Sequence, residues 1–385
     1  MDMRVNYGGL KLKHPIIAAS AGTTMDYKEA VKCDEAGYSA VVLKSVQEEE
    51  LMRYNPFPRF KILRSGIPGF SSTTFYSYEQ AYYGDIDAYA KTVYESKKRI
   101  SVPLIASINC ITPEAWPKYA EACEQAGADA IEFVPSCPTG QLIRDSTNDI
   151  RRISLAALEA CGKAVKIPVI PKMTGQVADV AAYALDLARG GAGGLTMINR
   201  ATGLDIDVET MAPILHGGFA GHGGSWALHS TLRWLVSVYP HIEIPISATG
   251  GITNGEETIK SLLAGANTVQ IAAVMYLKGY DYVKIMLREI EDYMERKSIP
   301  VLSSIIGVGA KNTKSMKEYD RVTRWYARGK SENCKKCSQC RAVCIYGALS
   351  YEDKKGPHFD RELCDGCGLC AGVCQFNAIE MLKKN

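Results

Sequence analysis

One local pattern recurs through about the first 270 residues and limits the folds open to this chain. A helix-like stretch ends at a pair of small residues, and a short apolar run follows. The glycine suits the left-handed backbone at a helix end, and the apolar run suits a strand buried on both faces. Alternating helices and buried strands predict an α/β fold with a parallel sheet. The small pairs are Ala36-Gly37, Ala126-Gly127, Gly190-Gly191 and Ala264-Gly265.

Four further apolar runs complete a set of eight predicted strands. These four runs begin at Pro15, Pro103, Pro168 and Pro245, since a strand start tolerates the missing N–H. Eight strand–helix units over about 250 residues match a TIM (β/α)8 barrel in number and length. A doubly wound sheet is the alternative, although it commonly has fewer units. The predicted strands are 15–20, 40–45, 103–108, 130–136, 168–173, 193–199, 245–250 and 268–274.

Two predicted connections are longer than a strand–helix unit needs. One follows Lys44, runs to about Tyr94 and is rich in aromatic residues, and the other follows Asn199 and contains HGGFAGHGGSW. Both start at carboxyl ends of strands, where a TIM barrel has its active site. We therefore expect them to cover a substrate or to contact a partner. For the aromatic segment, packing against the barrel or a second subunit is the alternative.

The last part of the chain contains eight of its thirteen cysteines, in two copies of one spacing. Each copy reads Cys-x2-Cys-x2-Cys-x3-Cys, which is the run of a bacterial two-cluster ferredoxin. In such proteins the fourth thiolate of each run binds the cluster of the other run. The spacing therefore predicts one 4Fe–4S cluster on Cys334, Cys337, Cys340 and Cys374, and a second on Cys344, Cys364, Cys367 and Cys370.

The cysteine runs also predict the domain organisation. We expect a TIM barrel over residues 1–310, a linker over 311–330 and a small ferredoxin-like α+β domain over 331–385. Structural zinc sites also contain CxxC pairs, but the repeated x2, x2 and x3 gaps favour the cluster assignment. Proline commonly follows the fourth cysteine of such a run, and Ile345 and Gln375 stand there instead.

The composition excludes several classes of protein. With 46% hydrophobic and 23% charged residues the chain is neither disordered nor collagen-like. A formal net charge of +3 gives no reason to expect a nucleic-acid partner. The sequence has neither an apolar run of about 18 residues nor the apolar core of a signal peptide. We therefore expect a cytoplasmic protein with no membrane partner.

One-electron carriers beside a barrel need a cofactor that also handles electron pairs, and flavin is the usual one. No GxGxxG opens a helix after a strand, so no dinucleotide fold is predicted. SATGGIT (247–253) and QIAAVMY (270–276) end the seventh and eighth strands, where a TIM barrel commonly binds phosphate. Lys44 and Lys172 lie at strand ends, where they could face the N1–C2=O edge of a reduced flavin. A surface lysine just past each strand is the alternative.

Cys137 follows the fourth predicted strand in the loop EFVPSCPTG. A thiol on a loop over a bound flavin could exchange a proton with the substrate. An isolated cysteine is more often a small buried residue, which is the interpretation for Cys33, Cys110, Cys123 and Cys161.

These motifs together resemble those of the dihydroorotate and dihydropyrimidine dehydrogenases. ASAG (19–22), VLKS, ASINC (106–110), EFVPSCPTG, PKMT, MINRATG (197–203), SATGGI and QIAAV occur in the order found in that family, and the tail is similar to the C-terminal end of dihydropyrimidine dehydrogenase. The resemblance implies an FMN barrel in which Cys137 donates or accepts the proton and Lys172 assists catalysis. It also implies FMN contacts at Ser20, Ala21, Lys44, Asn109, Lys172, Asn199, Gly224, Gly250, Gly251, Ala272 and Ala273.

The departures from this family concern the substrate. Pyrimidine-binding members have asparagine where this chain has Val134, and they read TNT where it has Ile198-Asn199-Arg200. We predict that Val134, Asn199 and Arg200 contact the substrate, and that the guanidinium selects an anionic or strongly electron-withdrawing oxygen group. The alternative is a salt bridge from Arg200 to Asp205 or Asp207.

These expectations combine into one function. The chain is predicted to reduce or form an activated C=C bond of a small cyclic substrate, with FMN, Cys137 and two 4Fe–4S clusters. Electrons would come from ferredoxin or from an NAD(P)H/FAD subunit, in a homodimer or a hetero-oligomer. The alternative is an electron-transfer subunit of a larger flavoprotein complex without substrate chemistry of its own.

Overall fold

The computed structural model describes residues 1–66, 72–78, 81–135, 147–352 and 356–384, without the side chains of 147–149 and 352. The chain divides into two compact units, Met1–Thr313 and Lys314–Asn385. The predicted linker 311–330 ends in the strand Trp325–Gly329, which pairs antiparallel with Ile379–Lys383. That part of the segment is therefore built into the second unit.

Eight parallel strands close a barrel in the first unit, as predicted. The hydrogen-bonded order is β2–β1–β8–β7–β6–β5–β4–β3, and pairing between β2 and β3 closes the ring. A doubly wound sheet would stay open, so that alternative is wrong. The strands are Ile16–Ala18 (β1), Val41–Val42 (β2), Leu104–Asn109 (β3), Ala130–Phe133 (β4), Val169–Thr174 (β5), Leu195–Asn199 (β6), Ile246–Thr249 (β7) and Thr268–Ile271 (β8).

Helices connect the strands. The four predicted helix-end glycines, Gly37, Gly127, Gly191 and Gly265, all have left-handed backbone. In the described part of the chain, no helix is both long enough and apolar enough to cross a membrane. The helices are Tyr27–Ala36, Ile86–Lys97, Ala115–Gln125, Thr147–Ala164, Val180–Arg189, Ala227–Val238, Gly255–Leu263, Ala273–Lys278 and Tyr282–Arg296.

The two long connections meet in one antiparallel sheet. The strand Ala220–Gly223 pairs with Ala201–Gly203 on one side and with Ser72–Ser77 on the other, and Phe60–Ser65 completes the sheet. The Phe75 ring stacks on that of Tyr276, just past β8, at 5.5 Å between centroids. This sheet therefore reaches the carboxyl end of the barrel.

A hairpin of Val5–Tyr7 and Leu10–Leu12 packs under the opposite end. Its Tyr7 is fully buried, and the hydroxyl lies 2.8 Å from Oγ1 of Thr196 on β6. The hairpin therefore contributes a polar atom to the barrel interior as well as apolar packing.

The second unit is a small α+β fold made of two similar halves, as predicted. Each half contributes a short helix, Gln339–Ala342 or Leu369–Val373, that begins beside its cysteines. The strands Leu349–Glu352 and Gly356–Phe359 pair with each other, beside the terminal pair described above. Ala327, Phe359 and Ile379 form its small core with Cys340 and Cys370.

Candidate active site

A cleft of about 1540 Å³, including its open mouth, lies at the carboxyl ends of the barrel strands. The space within it that small groups can occupy is about 270 Å³, near the lower end of the range for ligand pockets. Asn109 is buried at the end of β3 and does not line the cleft, and Cys137 lies outside the described residues. The predicted residues that line it are Ser20, Ala21, Lys44, Val134, Lys172, Asn199, Arg200, Gly224, Gly250, Gly251, Ala272 and Ala273.

One end of the cleft is formed by glycine-rich backbone. Gly250 and Gly251, after β7, have φ of 103° and 77°. A Cβ on Gly251 would overlap the backbone of Leu228, in the first turn of the helix Ala227–Val238. A Cβ on Gly224 would likewise overlap the carbonyl of Thr73. Close-packed glycines beside a helix N-terminus fit the phosphate group of a nucleotide.

Both predicted lysines are buried in the cleft wall. Lys44 is 5% exposed and Lys172, within β5, is 6% exposed. The alternative of a surface lysine is therefore wrong for both positions. Two cations under the cleft fit a cofactor that gains negative charge.

A polar network that sequence reasoning missed lies beneath Lys172. The Lys172 ammonium donates to Oε1 of Glu132 at 3.2 Å and to Oε1 of Gln270 at 3.4 Å. Thr196 donates to the other Glu132 oxygen at 2.8 Å. These residues come from β4, β5, β6 and β8, and barrel closure brings them together. The sequence signal that indicates such a network is a polar residue inside an otherwise apolar strand.

A chain of hydroxyls leads inward from the cleft. Ser20 Oγ lies 3.1 Å from Ser45 Oγ, which lies 2.7 Å from Ser107 Oγ on β3. Ser20 also accepts the backbone N–H of Ser45 at 3.1 Å. Ser45 lines the cleft and was not predicted. These hydroxyl contacts hold together the turns after β1 and β2, which contain residues predicted to contact FMN.

The side of the cleft where substrate contacts are predicted is partly apolar and partly cationic. Val134 is buried, and the Arg200 side chain lies so close to Gly221 that a Cβ there would overlap its guanidinium. His222 lines the same wall of the cleft. Burial lowers the pKa of its imidazole, and the nearby charge of Arg200 lowers it further. The carboxylates of Asp205 and Asp207 accept backbone N–H groups from their own turns.

Four other barrel cysteines are buried and lie outside the cleft lining. Burial raises the pKa of the Cys161 thiol to about 12, and it raises the pKa of Cys33, Cys110 and Cys123 further. Thiols of this kind act as small apolar groups.

The eight cysteines of the second unit surround two separate cavities. One is lined by Cys334, Cys337, Cys340 and Cys374, and the other by Cys344, Cys364, Cys367 and Cys370. Within the described residues no three ligating side chains are close enough to share one metal ion, whereas each four-cysteine set encloses a volume. Backbone N–H groups point at three of the sulfurs, from Lys336 to Cys334, from Ala327 to Cys364 and from Ala378 to Cys374. Such donors stabilise thiolate ligands.

Comparison with known proteins agrees with this geometry. The sequence profile described as dihydroorotate dehydrogenase matches residues 2–294, and that of the 4Fe-4S binding domain matches 357–380. The chain belongs to the dihydroorotate dehydrogenase family. It is therefore an oxidoreductase of the group that acts on CH–CH bonds.

Three relatives illustrate the extent of the match. The NAD-dependent dihydropyrimidine dehydrogenase subunit PreA of Escherichia coli K12 is 28% identical over 99% of this chain and 95% of its own. The catalytic subunit of dihydroorotate dehydrogenase B (NAD(+)) from Alkaliphilus oremlandii is 30% identical over 80% of this chain and 98% of its own. The corresponding subunit of Pyrococcus abyssi is 28% identical over 80% of this chain and 99% of its own.

Proposed function

We propose that this chain is an FMN- and iron–sulfur-dependent oxidoreductase that reduces, or forms, an activated C=C bond of a small cyclic substrate. The observation that supports this most is the cleft, where two buried lysines and glycine-rich turns lie at the carboxyl ends of the strands. FMN, when bound there, supplies hydride transfer at N5.

In this proposal each side chain has a definite task. Lys172 and Lys44 balance the negative charge of the reduced cofactor, and the turn at Gly250 and Gly251 holds its phosphate. Cys137 gives a proton to the carbon beside the one that receives hydride, from the opposite face of the ring. Hydride and proton together account for the two hydrogens added to the double bond.

Two 4Fe–4S clusters on the eight cysteines would carry electrons singly between the flavin and an outside donor. The four-cysteine cavities support this assignment. The PreA relative is named as a subunit, which supports a hetero-oligomer with an electron-transfer partner. Ferredoxin or an NAD(P)H/FAD subunit has the required chemistry.

The substrate is proposed to carry an anionic or strongly electron-withdrawing oxygen group. Arg200 is always charged, and its planar fork matches paired oxygens. Val134 offers no hydrogen bond where pyrimidine-binding members have asparagine. A site without that partner discriminates poorly for a pyrimidine ring.

The test is turnover by the anaerobically reconstituted full chain with reduced viologen as donor. The substrates tested are uracil, thymine, orotate and non-pyrimidine cyclic enones. Turnover of each is measured as reoxidation of the flavin. We expect the best substrate to be anionic or an enone, and we expect no turnover with NADH alone. Cys137→Ala should abolish turnover while flavin reduction persists, and Cys161→Ala, a buried thiol outside the cleft, should match the unaltered chain.

Two results would contradict the proposal. Unchanged turnover in Cys137→Ala would remove the proton role and favour an electron-transfer subunit. Uracil as the best substrate would remove the role given to Arg200.

A further inference from the structure

Glu132 is a fully buried carboxylate that the proposed chemistry does not use. Its Oε1 accepts from Lys172 at 3.2 Å, and its Oε2 accepts from Thr196 Oγ1 and Gln270 Nε2, both at 2.8 Å. All three partners are donors toward it. An ionised carboxylate only accepts hydrogen bonds, so this surrounding fits the charged form.

The direction of the next hydrogen bonds follows from this arrangement. Thr196 has one hydroxyl hydrogen, and it is used on Glu132. Tyr7, 2.8 Å from the same oxygen, must therefore donate to Thr196, as Gln270 Nε2 does at 3.1 Å. Burial and the Glu132 charge raise the pKa of Tyr7 well above its usual value, which keeps the phenol a donor. Glu132 therefore accepts from Lys172, Thr196 and Gln270, and Tyr7 supports it through Thr196.

Lys172 forms the upper edge of the network. An ammonium has three N–H donors, and Glu132 and Gln270 accept two of them among the described residues. The third is left for a ligand in the cleft that Lys172 lines. Burial of an ammonium costs free energy unless an anion faces it, and Glu132 is the anion that faces Lys172.

We propose that Glu132 is a positioning residue that keeps Lys172 as an ammonium before the flavin is reduced. The negative charge that a flavin gains near N1 then meets a cation already in place, which is preorganised electrostatic stabilisation. This inference rests on the proposed function because it needs a flavin in the cleft.

The inference has a consequence for proton uptake. In the unaltered protein, reduction by two electrons from dithionite takes up one proton, at N5, because Lys172 is already charged. Without the Glu132 charge, Lys172 is neutral beside the oxidised flavin and takes up a second proton on reduction. The pH dependence of the flavin potential counts these protons.

Other titratable groups around Lys172 do not change between the two proteins. Lys44, Arg200 and His222 line the same cleft, and Tyr7 reaches the network through Thr196. Arg200 stays charged, and the lowered pKa of His222 keeps it neutral above pH 7. The difference in proton count therefore reports Lys172.

The experiment is an anaerobic redox titration of the FMN-loaded full chain from pH 7 to 9, followed by flavin absorbance. We expect uptake of about one proton per electron pair in the unaltered chain. In Glu132→Gln we expect uptake of about two protons per electron pair and a lower flavin potential. Glu132→Asp, which restores the charge, should move both values back toward the unaltered chain. The control is Glu159→Gln, which loses an exposed carboxylate bonded to Lys163 and should change neither value.

An unchanged proton count and potential in Glu132→Gln would overturn the inference. The amide of E132Q places N–H donors against the donors of Thr196 and Gln270. If this variant does not fold, Glu132→Met replaces it, and the same results support or overturn the inference. An unaltered chain that binds no flavin would instead refute the proposed function, so the two failures are distinguishable.

Discussion

Single polar residues inside the barrel form a buried network beneath the cleft. Lys172 and Glu132 form an ion pair that is almost fully shielded from water. A buried ion pair adds little net stability, but removal of one partner leaves the other charge without compensation. The pair is therefore better explained by the site above it than by the stability of the barrel.

The energetic coupling of this pair is testable. Lys172→Met should lower the free energy of unfolding of the flavin-free full chain by about 3–5 kcal/mol, because Glu132 keeps a buried charge with no cation. The double variant Lys172→Met with Glu132→Gln should recover most of that loss. Urea denaturation measures both, and Lys163→Met, from an exposed pair, should change the value by less than about 1 kcal/mol. Equal decreases in the free energy of unfolding in the single and double variants would show that Lys172 and Glu132 are not coupled.

At the scale of elements, the cleft depends on close approach between turns and helices. The turn after β7 contacts the first turn of the helix Ala227–Val238 through Gly251. Left-handed backbone and lack of space both exclude a side chain at this position. Gly251 therefore allows the turn after β7 to approach the helix closely enough to form the proposed phosphate cradle.

Two glycine substitutions separate these effects. Gly191→Ala adds a Cβ that meets nothing within 4 Å at φ 91°, so only backbone strain of about 1–2 kcal/mol should result. Gly251→Ala adds the same strain and also overlaps Leu228. We expect a total loss of about 3 kcal/mol and a lowered FMN content in the purified protein. Equal losses with full FMN content in both variants would contradict the phosphate assignment.

Local pattern predicted the strands well and the contacts between distant segments poorly. All eight barrel strands lie within or beside their predicted ranges because each is a largely apolar run, marked either by a preceding helix-end glycine or by an initial proline. The four-stranded sheet was missed, since Tyr76 pairs with His222 across a long sequence separation. The Glu132 network was missed for the same reason, because its members meet only when the barrel closes.

At the scale of the whole molecule, two compact units with different candidate sites share one chain. The first unit has the cleft, and the second has two cavities lined by four cysteines each. Each cavity combines three cysteines of one run with the fourth of the other. The cysteine spacing predicted this division, because three cysteines of each set lie close together along the chain and the fourth cysteine of such a run is known to bind the other cluster.

Crossed ligation predicts which cysteine variants behave alike. Cys344→Ala and Cys364→Ala should both remove the cluster in the second cavity, because Cys344 lines that cavity with Cys364, Cys367 and Cys370. Cys374→Ala should instead match Cys334→Ala, its neighbour in the other cavity. In each case iron should fall from about eight to about four per chain, and the electron paramagnetic resonance spectrum of the reduced remaining cluster should be the same within each pair. Unchanged FMN content is the control that the barrel is intact. If Cys344→Ala gives the spectrum of Cys334→Ala, each run binds its own cluster and the crossed assignment is wrong.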